Sequence, residues 1–204
     1  KLSREEARLR AEAKDCTPYD ALLDIFEPDM TSARLDVLFG DLKSWLPELL
    51  AKVVEKQAQR SFVPPQGPFP TATQRELGLE AMKMLGFDFN GGRLDVSAHP
   101  FCGGVPEDVR ITTRYDEDEL LSALFGVIHE TGHARYEQNL PRAWAGQPVA
   151  LARSTAIHES QSLFFEMQLG RSEAFLKHLL PAVHARFGSQ AAFSEENFIA
   201  WNQR

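Results

Sequence analysis

Six residues restrict this chain more than any others: Ile128-His129-Glu130-Thr131-Gly132-His133, which contain the pattern H-E-x-x-H. On an α-helix, positions i and i+4 lie on one face about one turn apart. His129 and His133 can therefore present two imidazoles to a single ion, with the Glu130 carboxylate beside them. The preceding run, Leu120-Leu121-Ser122-Ala123-Leu124-Phe125-Gly126-Val127-Ile128, is apolar and helix-compatible, so the motif is expected on a largely buried helix. An unpaired charge there is costly, whereas neutral imidazoles gathered on a metal have a reason to be inside. Asp116-Glu117-Asp118-Glu119 supplies the helix start. Asp116 and Glu119 have capping-box spacing, and acids suit the positive end of the helix dipole. Zinc takes four ligands and, where it does chemistry, leaves one position to water. The pattern thus predicts two protein ligands, a carboxylate base, and a third ligand from another segment.

The rest of the chain reads as mostly helical. Ser3 and Glu6 have capping-box spacing ahead of a helix over residues 3–14. Thr17-Pro18 opens a short second helix. A long third helix runs from Thr31 or Ser32 to about Arg60, with Leu35, Leu38, Phe39, Leu42, Trp45, Leu46, Leu49, Leu50, Val53 and Val54 at three- and four-residue spacing. That stripe predicts core packing, with a kink near Pro47. A proline-rich linker over 62–70 precedes a helix from Gln74 to Leu85, ended by Gly86. Phe87-Asp88-Phe89 and Arg93–Ser97 flank the turn signal Asn90-Gly91-Gly92, and Val109–Tyr115 alternates and is β-branched. Helices are expected at about 153–169, stopped by Gly170, and at 172–187 and 195–203. The fold class is mainly α, zincin-like, with an antiparallel sheet of about three strands next to the H-E-x-x-H helix. Residues 1–204 form one domain, a helical part over 1–86 followed by sheet and metal-site helices over 87–204.

Composition narrows the partners. The formal net charge is −7, so the chain lacks the basic footprint of a nucleic-acid binder. No apolar run approaches the ~20 residues that span a bilayer, and no signal peptide opens the sequence. With two cysteines, Cys16 and Cys102, the expected setting is reducing and cytoplasmic, and both read as buried or incidental thiols.

For the third ligand, Glu159 and Glu166 stand out on the 153–169 helix. Glu159 sits in the polar cluster Ile157-His158-Glu159-Ser160-Gln161-Ser162, which needs partners if it faces the core. A solvent face for His158 and Glu159 fits the spacing equally well. Glu137 and Glu166 are weaker rivals for the position.

Four short motifs occur in order: His99-Pro100-Phe101, Asp108-Val109-Arg110-Ile111-Thr112, His129 to His133, and His158-Glu159-Ser160 followed by Gln161. Together they resemble the H-P-F, D-x-R-x-T, H-E-x-x-H and H-E-S/G-Q motifs of the carboxypeptidase Taq family, peptidase family M32. The resemblance covers residues 85 to 165 by motif and the flanking helices by pattern. Position by position it implies His129, His133 and Glu159 as metal ligands and Glu130 as general base and acid. It implies that His99 and Arg110 lie near the substrate cleft or behind the ligands, as does His158, and that Asp108 and Thr112 orient neighbours at a strand edge. The family's further motifs, I-R-x-x-A-D and G-x-x-Q-D-x-H-W, do not occur here. Full-length members are about twice as long, so the chain resembles a central part, incomplete at both ends. The absent motifs are implied to hold the substrate tail and close the cleft. A homodimer is likewise implied.

The expected activity is metallocarboxypeptidase cleavage of peptides with a free C-terminus, with one Zn²⁺ per chain. The same donors also accommodate Co²⁺ or Mn²⁺. Arg110 and Arg114 are the arginines nearest in sequence that could fork onto a C-terminal carboxylate, although Arg110 can instead pair with Asp108. Two other readings use the same residues. One is an aminopeptidase or endopeptidase with the H-E-x-x-H pattern. The other is a metal-binding helical fragment without turnover.

Overall fold

The computed structural model describes residues 1–203, which fall into two compact units. The first comprises Lys1–Ser61 with Arg153–Ala156. It contains α1 (Leu2–Lys14), α2 (Pro18–Phe26) and α3 (Ser32–Ala58). The Thr17 and Thr31 side chains cap α2 and α3, accepting from the amides of Asp20 at 3.1 Å and Arg34 at 3.2 Å. The Ser3–Glu6 capping box does not form. Helix α1 already starts at Leu2, and Glu6 pairs with Arg10 at 2.8 Å instead. The small residues Ala7, Ala11 and Ala21 are buried in this unit. No residue of α3 is buried: Phe39 is 52% exposed and Leu50 58%. The expectation that its apolar stripe packs into a core is therefore not met.

The second unit, Phe62–Ala152 with Ile157–Arg204, is built around one helix. It contains α4 (Thr71–Met84), β1 (Gly92–Val96), β2 (Phe101–Val105), β3 (Asp108–Thr113), α5 (Leu121–Gln138), α6 (Thr155–Leu163) from Ile157 onward, a π-helical segment (Phe164–Leu169), α7 (Glu173–Phe187) and α8 (Glu195–Asn202). Helix α5 is apolar on two sides. Leu124, Phe125 and Ile128 join Leu77, Leu176, Leu179, Val183, Phe193 and Phe198 in one buried cluster. Val127 and Ala134 join Met82, Phe87, Leu94, Val109 and Ile111 in another, toward the sheet. Each such side chain contributes about 1.5–3 kcal/mol on full burial. With Ile128 and Val127 fully inside on opposite flanks, α5 cannot rotate without exposing one of them.

Helix α4 starts at Thr71, earlier than expected, and the Gln74 side chain in its first turn is buried. Its amide nitrogen donates to the carbonyls of Phe69 at 2.7 Å and Asp116 at 2.6 Å. The α5 terminus is capped by Glu119 alone, which accepts from the amides of Leu121 at 3.0 Å and Ser122 at 2.7 Å. Asp116, the expected partner in that cap, instead accepts from the Asp118 amide at 2.9 Å.

The sheet has three strands in the order β1-β3-β2. It is mixed rather than antiparallel. Strand β1 runs parallel to β3 with Arg93 opposite Arg110, and β2 runs antiparallel to β3 with Cys102 opposite Ile111. Residues 87–89 form no strand. Phe87 is buried, and the Asp88 side chain accepts from the Asn90 amide at 2.9 Å, turning the chain into a 3₁₀ turn over Phe89–Gly91. Strand β2 was not expected, because Gly103-Gly104 has weak strand preference. Gly104 has φ +107°, and a Cβ there would stand 2.2 Å from the Asp108 carbonyl, so a glycine is required.

Candidate metal centre

Helix α5 projects His129 and His133 side by side, with ring centroids 5.0 Å apart. Glu159 on α6 faces both. Its Oε1 lies 3.7 Å from His129 Nε2 and its Oε2 lies 3.1 Å from His133 Nε2. One atom from each of the three residues falls within 4.8 Å of the other two. What lets α6 come so close is Gly132. A Cβ at that position would meet Ser162 Cα at 2.6 Å and the Gln161 carbonyl at 3.0 Å.

The outer nitrogens of both imidazoles are also engaged. His129 Nδ1 is 2.9 Å from Glu166 Oε2, on the π-helical segment. His133 Nδ1 is in hydrogen-bond contact with His158 Nδ1, and His158 Nε2 is 2.7 Å from Glu137 Oε1. Glu137 and Glu166, rivals for the third ligand position by sequence, thus lie behind the histidines rather than between them. Glu137 is four residues after His133 and so on its helix face, a spacing that could have indicated this. Arg171, which no sequence signal marked, stands next to Glu166 at 3.8 Å and stacks over the Phe125 ring at 4.0 Å.

Electrostatics follow from burial. Glu130 is 7% exposed, and desolvation pushes its carboxyl above the ordinary range, with Glu159 adding to this and His129 opposing it. Burial, then the neighbouring His158 and His129, pushes the His133 imidazole down to about 4, which keeps it neutral and able to ligate. The donor set, two imidazole nitrogens and one carboxylate oxygen, suits a borderline divalent ion such as zinc. Glu130 and His129 border an open groove of about 490 Å³, shared with Pro100, Glu119, Glu166 and Arg171.

The remaining predicted residues lie on the sheet side. Thr112 Oγ1 donates to the His99 carbonyl at 3.0 Å and accepts from the Phe101 amide at 3.1 Å, fixing the His99-Pro100-Phe101 turn against β3. That turn brings Pro100, not the exposed His99 ring, to the groove. Arg110 is held by Asp108 at 2.6 Å on the exposed face of β3. Both cysteines are free. Cys16 is exposed, and Cys102 is partly buried, with its thiol pushed up to about 12 chiefly by burial.

Comparison with known proteins gives a consistent set. A family model described as carboxypeptidase Taq (M32) metallopeptidase matches residues 1–203. Carboxypeptidase 1 of Bacillus subtilis is 47% identical over 161 residues, 78% of this chain and 32% of that protein. Thermostable carboxypeptidase 1 of Thermus thermophilus is 42% identical over 88% of this chain and 36% of its own length. Among solved structures, Trypanosoma cruzi metallocarboxypeptidase 1 superposes with a TM-score of 0.91 at 54% identity, covering 100% of this chain and 41% of that one. The M32 carboxypeptidase of Deinococcus radiodurans R1 superposes with a TM-score of 0.86 at 33% identity, covering 98% of this chain and 40% of that one. The chain spans about a third of the length of the curated relatives it matches.

Proposed function

The chain belongs to the carboxypeptidase Taq (M32) metallopeptidase family, and on that footing we propose that it carries the metal-binding and proton-transfer residues of a peptidase that removes C-terminal residues from peptides. The observation that carries this reading is the convergence of His129, His133 and Glu159 within 4.8 Å, with Glu130 beside them on the groove. We assign Zn²⁺, one per chain, with Co²⁺ or Mn²⁺ tolerated by the same donors. When bound, such an ion acidifies a water molecule and polarises the scissile carbonyl.

The protein's own residues do the rest. His129, His133 and Glu159 would hold the ion, next to the groove that His129 and Glu130 border. Glu130 takes a proton from the attacking water and returns it to the leaving amine nitrogen. Its burial suits this role, because a carboxylate whose pKa is raised is a stronger base and takes the proton from water more readily. The turn fixed by Thr112 shapes the groove wall at Pro100. Arg110, committed to Asp108, supports the strand in this arrangement rather than gripping a substrate carboxylate. No helix among the described residues is long and apolar enough to cross a membrane. A cytoplasmic setting and a homodimer complete the proposal, the former from the two unpaired cysteines and the latter from the family.

The test is turnover of the zinc-loaded chain on a peptide with a free C-terminus and on its C-terminally amidated form. Cleavage of the first only is expected, and Glu130→Gln should retain the ion and abolish it. Equal cleavage of both peptides would indicate an endopeptidase or aminopeptidase. Bound metal without cleavage of either would leave a metal-binding domain only.

A further inference from the structure

We propose that Glu27, at the end of α2, is a positioning residue for the metal centre: its carboxylate closes the first turn of α6, the helix that carries Glu159. The inference rests on the proposed metal site for its purpose. Helix α6 has nine residues, Thr155–Leu163. Helices this short are marginal in water, and the amides of a first turn have no partner within the helix. Here the Ala156 amide donates to Glu27 Oε2 at 2.9 Å, across 129 residues of sequence. The Ser154 hydroxyl, just ahead of the helix, donates to both oxygens of the same carboxylate, at 2.9 and 2.8 Å. These contacts lie within the first unit, which includes Arg153–Ala156. A carboxylate at this end of a helix accepts a charge-assisted bond and faces the positive pole of the helix dipole, so both effects favour the closed turn.

The carboxylate is itself held from behind. The Glu27 amide donates to the Leu23 carbonyl at 2.9 Å, and the Glu27 carbonyl accepts from the Met30 amide at 3.2 Å. Asp24 Oδ1 accepts from the Asp29 amide at 3.0 Å, and Asp20 Oδ1 accepts from the Ser32 amide at 2.7 Å. These bonds fold residues 27–32 into a fixed turn, with Asp29 at φ +63°. The effect of the cap reaches Glu159 through the backbone. The Glu159 side chain is 45% exposed, so its place depends on the main chain beneath it. Ala156 precedes it by three residues and Ser162 follows it by three. Ser162 rests over Gly132, and its hydroxyl donates to the Glu159 carbonyl at 2.7 Å. Glu159 thus sits midway between two points at which α6 is tethered. In a helix that opens at Thr155, the Glu159 amide bonds back to the carbonyl of residue 155. A frayed first turn therefore releases the ligand's backbone, and a binding-competent state that is only partly populated lowers the apparent affinity by that fraction.

Residue-resolved amide exchange of the metal-free chain is the first measurement. Glu27→Ala should speed exchange of the Glu159, Ser160 and Gln161 amides by about 2–30-fold, the range by which losing a helix cap shifts a local opening equilibrium. Amides of α7 are the reference and should keep their rates. Ser154→Asp supplies a cap from the segment that leads into α6. Alone, it sets a second carboxylate against Glu27 and should also speed exchange. Combined with Glu27→Ala, it should bring the rates back to within about twofold of the unaltered chain. Chelator competition should follow the same order, with Glu27→Ala weakening Zn²⁺ by about threefold or more and Ser154→Asp in that background restoring it. Unchanged exchange in α6 for Glu27→Ala would overturn the inference. So would faster exchange with unaltered zinc affinity, or a double variant no better than Glu27→Ala, since either confines Glu27 to its own turn. Should Glu27→Ala fail to fold by far-UV circular dichroism, the inference requires the double variant to fold and bind zinc, and failure of both would sink it. The expected exchange pattern in an unaltered chain that binds no zinc would instead overturn the metal assignment.

Discussion

Replacing Gly132 by alanine tests how tightly the two ligand-bearing helices are clamped. The added Cβ would fall 2.6 Å from Ser162 Cα, 3.0 Å from the Gln161 carbonyl and 3.1 Å from Phe165 Cβ. Non-bonded carbons settle at about 3.5–4.0 Å, so α6 must retreat by roughly 1 Å. Two of the three close atoms are backbone, so a side-chain rotation cannot absorb the clash. Glu159 is less than one turn from Ser162 and moves with it, whereas a metal–ligand distance tolerates only about ±0.2 Å. Overpacking costs about 1–3 kcal/mol, and the better helix propensity of alanine returns about 1 kcal/mol. The net loss of stability is therefore about 0–2 kcal/mol, alongside a weakening of zinc binding that should reach at least tenfold. Gly126 on the same helix is the control. Its Cβ would meet nothing closer than the Thr113 hydroxyl at 3.7 Å, so Gly126→Ala should stabilise the chain by up to about 1 kcal/mol. Thermal melting and chelator competition measure both quantities. If Gly132→Ala melts as high as Gly126→Ala and binds zinc equally well, the close approach of α6 is not what sets the Glu159 position.

Three further outcomes follow from the buried groups. Because the folded protein holds His133 down at about 4 against an ordinary 6.5, the unfolded chain takes up that proton first. The metal-free protein should lose stability as pH falls from about 6.5 to about 4, and His133→Phe should flatten that part of the melting-temperature profile; an unchanged slope would contradict the assignment. Glu130 has the opposite sign: its raised folded value means that its contribution is present below an ordinary 4.5 and lost as pH rises through the folded value. In the metal-free protein, Glu130→Gln should therefore raise the melting temperature at pH 8, with the gain vanishing near pH 4. Finally, burial keeps Cys102 a thiol at pH 8, with its value pushed up to about 12. Mass mapping after brief alkylation should find exposed Cys16 modified well before Cys102, and equal rates would show that the burial is not maintained.

Much of the helical layout was legible in the residues. Thr17-Pro18 and Thr31 mark helix starts that form where expected, and Gly86 and Gly170 follow helix ends. These signals act within a few residues, through side chains that satisfy the free amides of a first turn or a backbone that leaves the helix. The acid cluster before α5 was readable as a cap but not down to the residue, since Asp116 and Glu119 offer similar carboxylates and only the local turn separates them. The periodicity of Leu38, Leu42, Trp45 and Leu49 identified residues sharing a face of α3. It could not say what covers that face, and none of them is buried. Strand direction was equally out of reach, because β3 enters between β1 and β2 through pairings between residues about 17 apart in sequence, such as Gly92 with Val109.

The residue identities alone determined that two imidazoles and a carboxylate share one helix, because a four-residue spacing and a helical repeat of about 3.6 admit little else. Tertiary packing decided which acid faces the inner nitrogens and which stand behind the rings. Glu137, Glu159 and Glu166 are chemically near-equivalent, and only the approach of α6 across Gly132, followed by the widened turn that carries Glu166, gives each a different place.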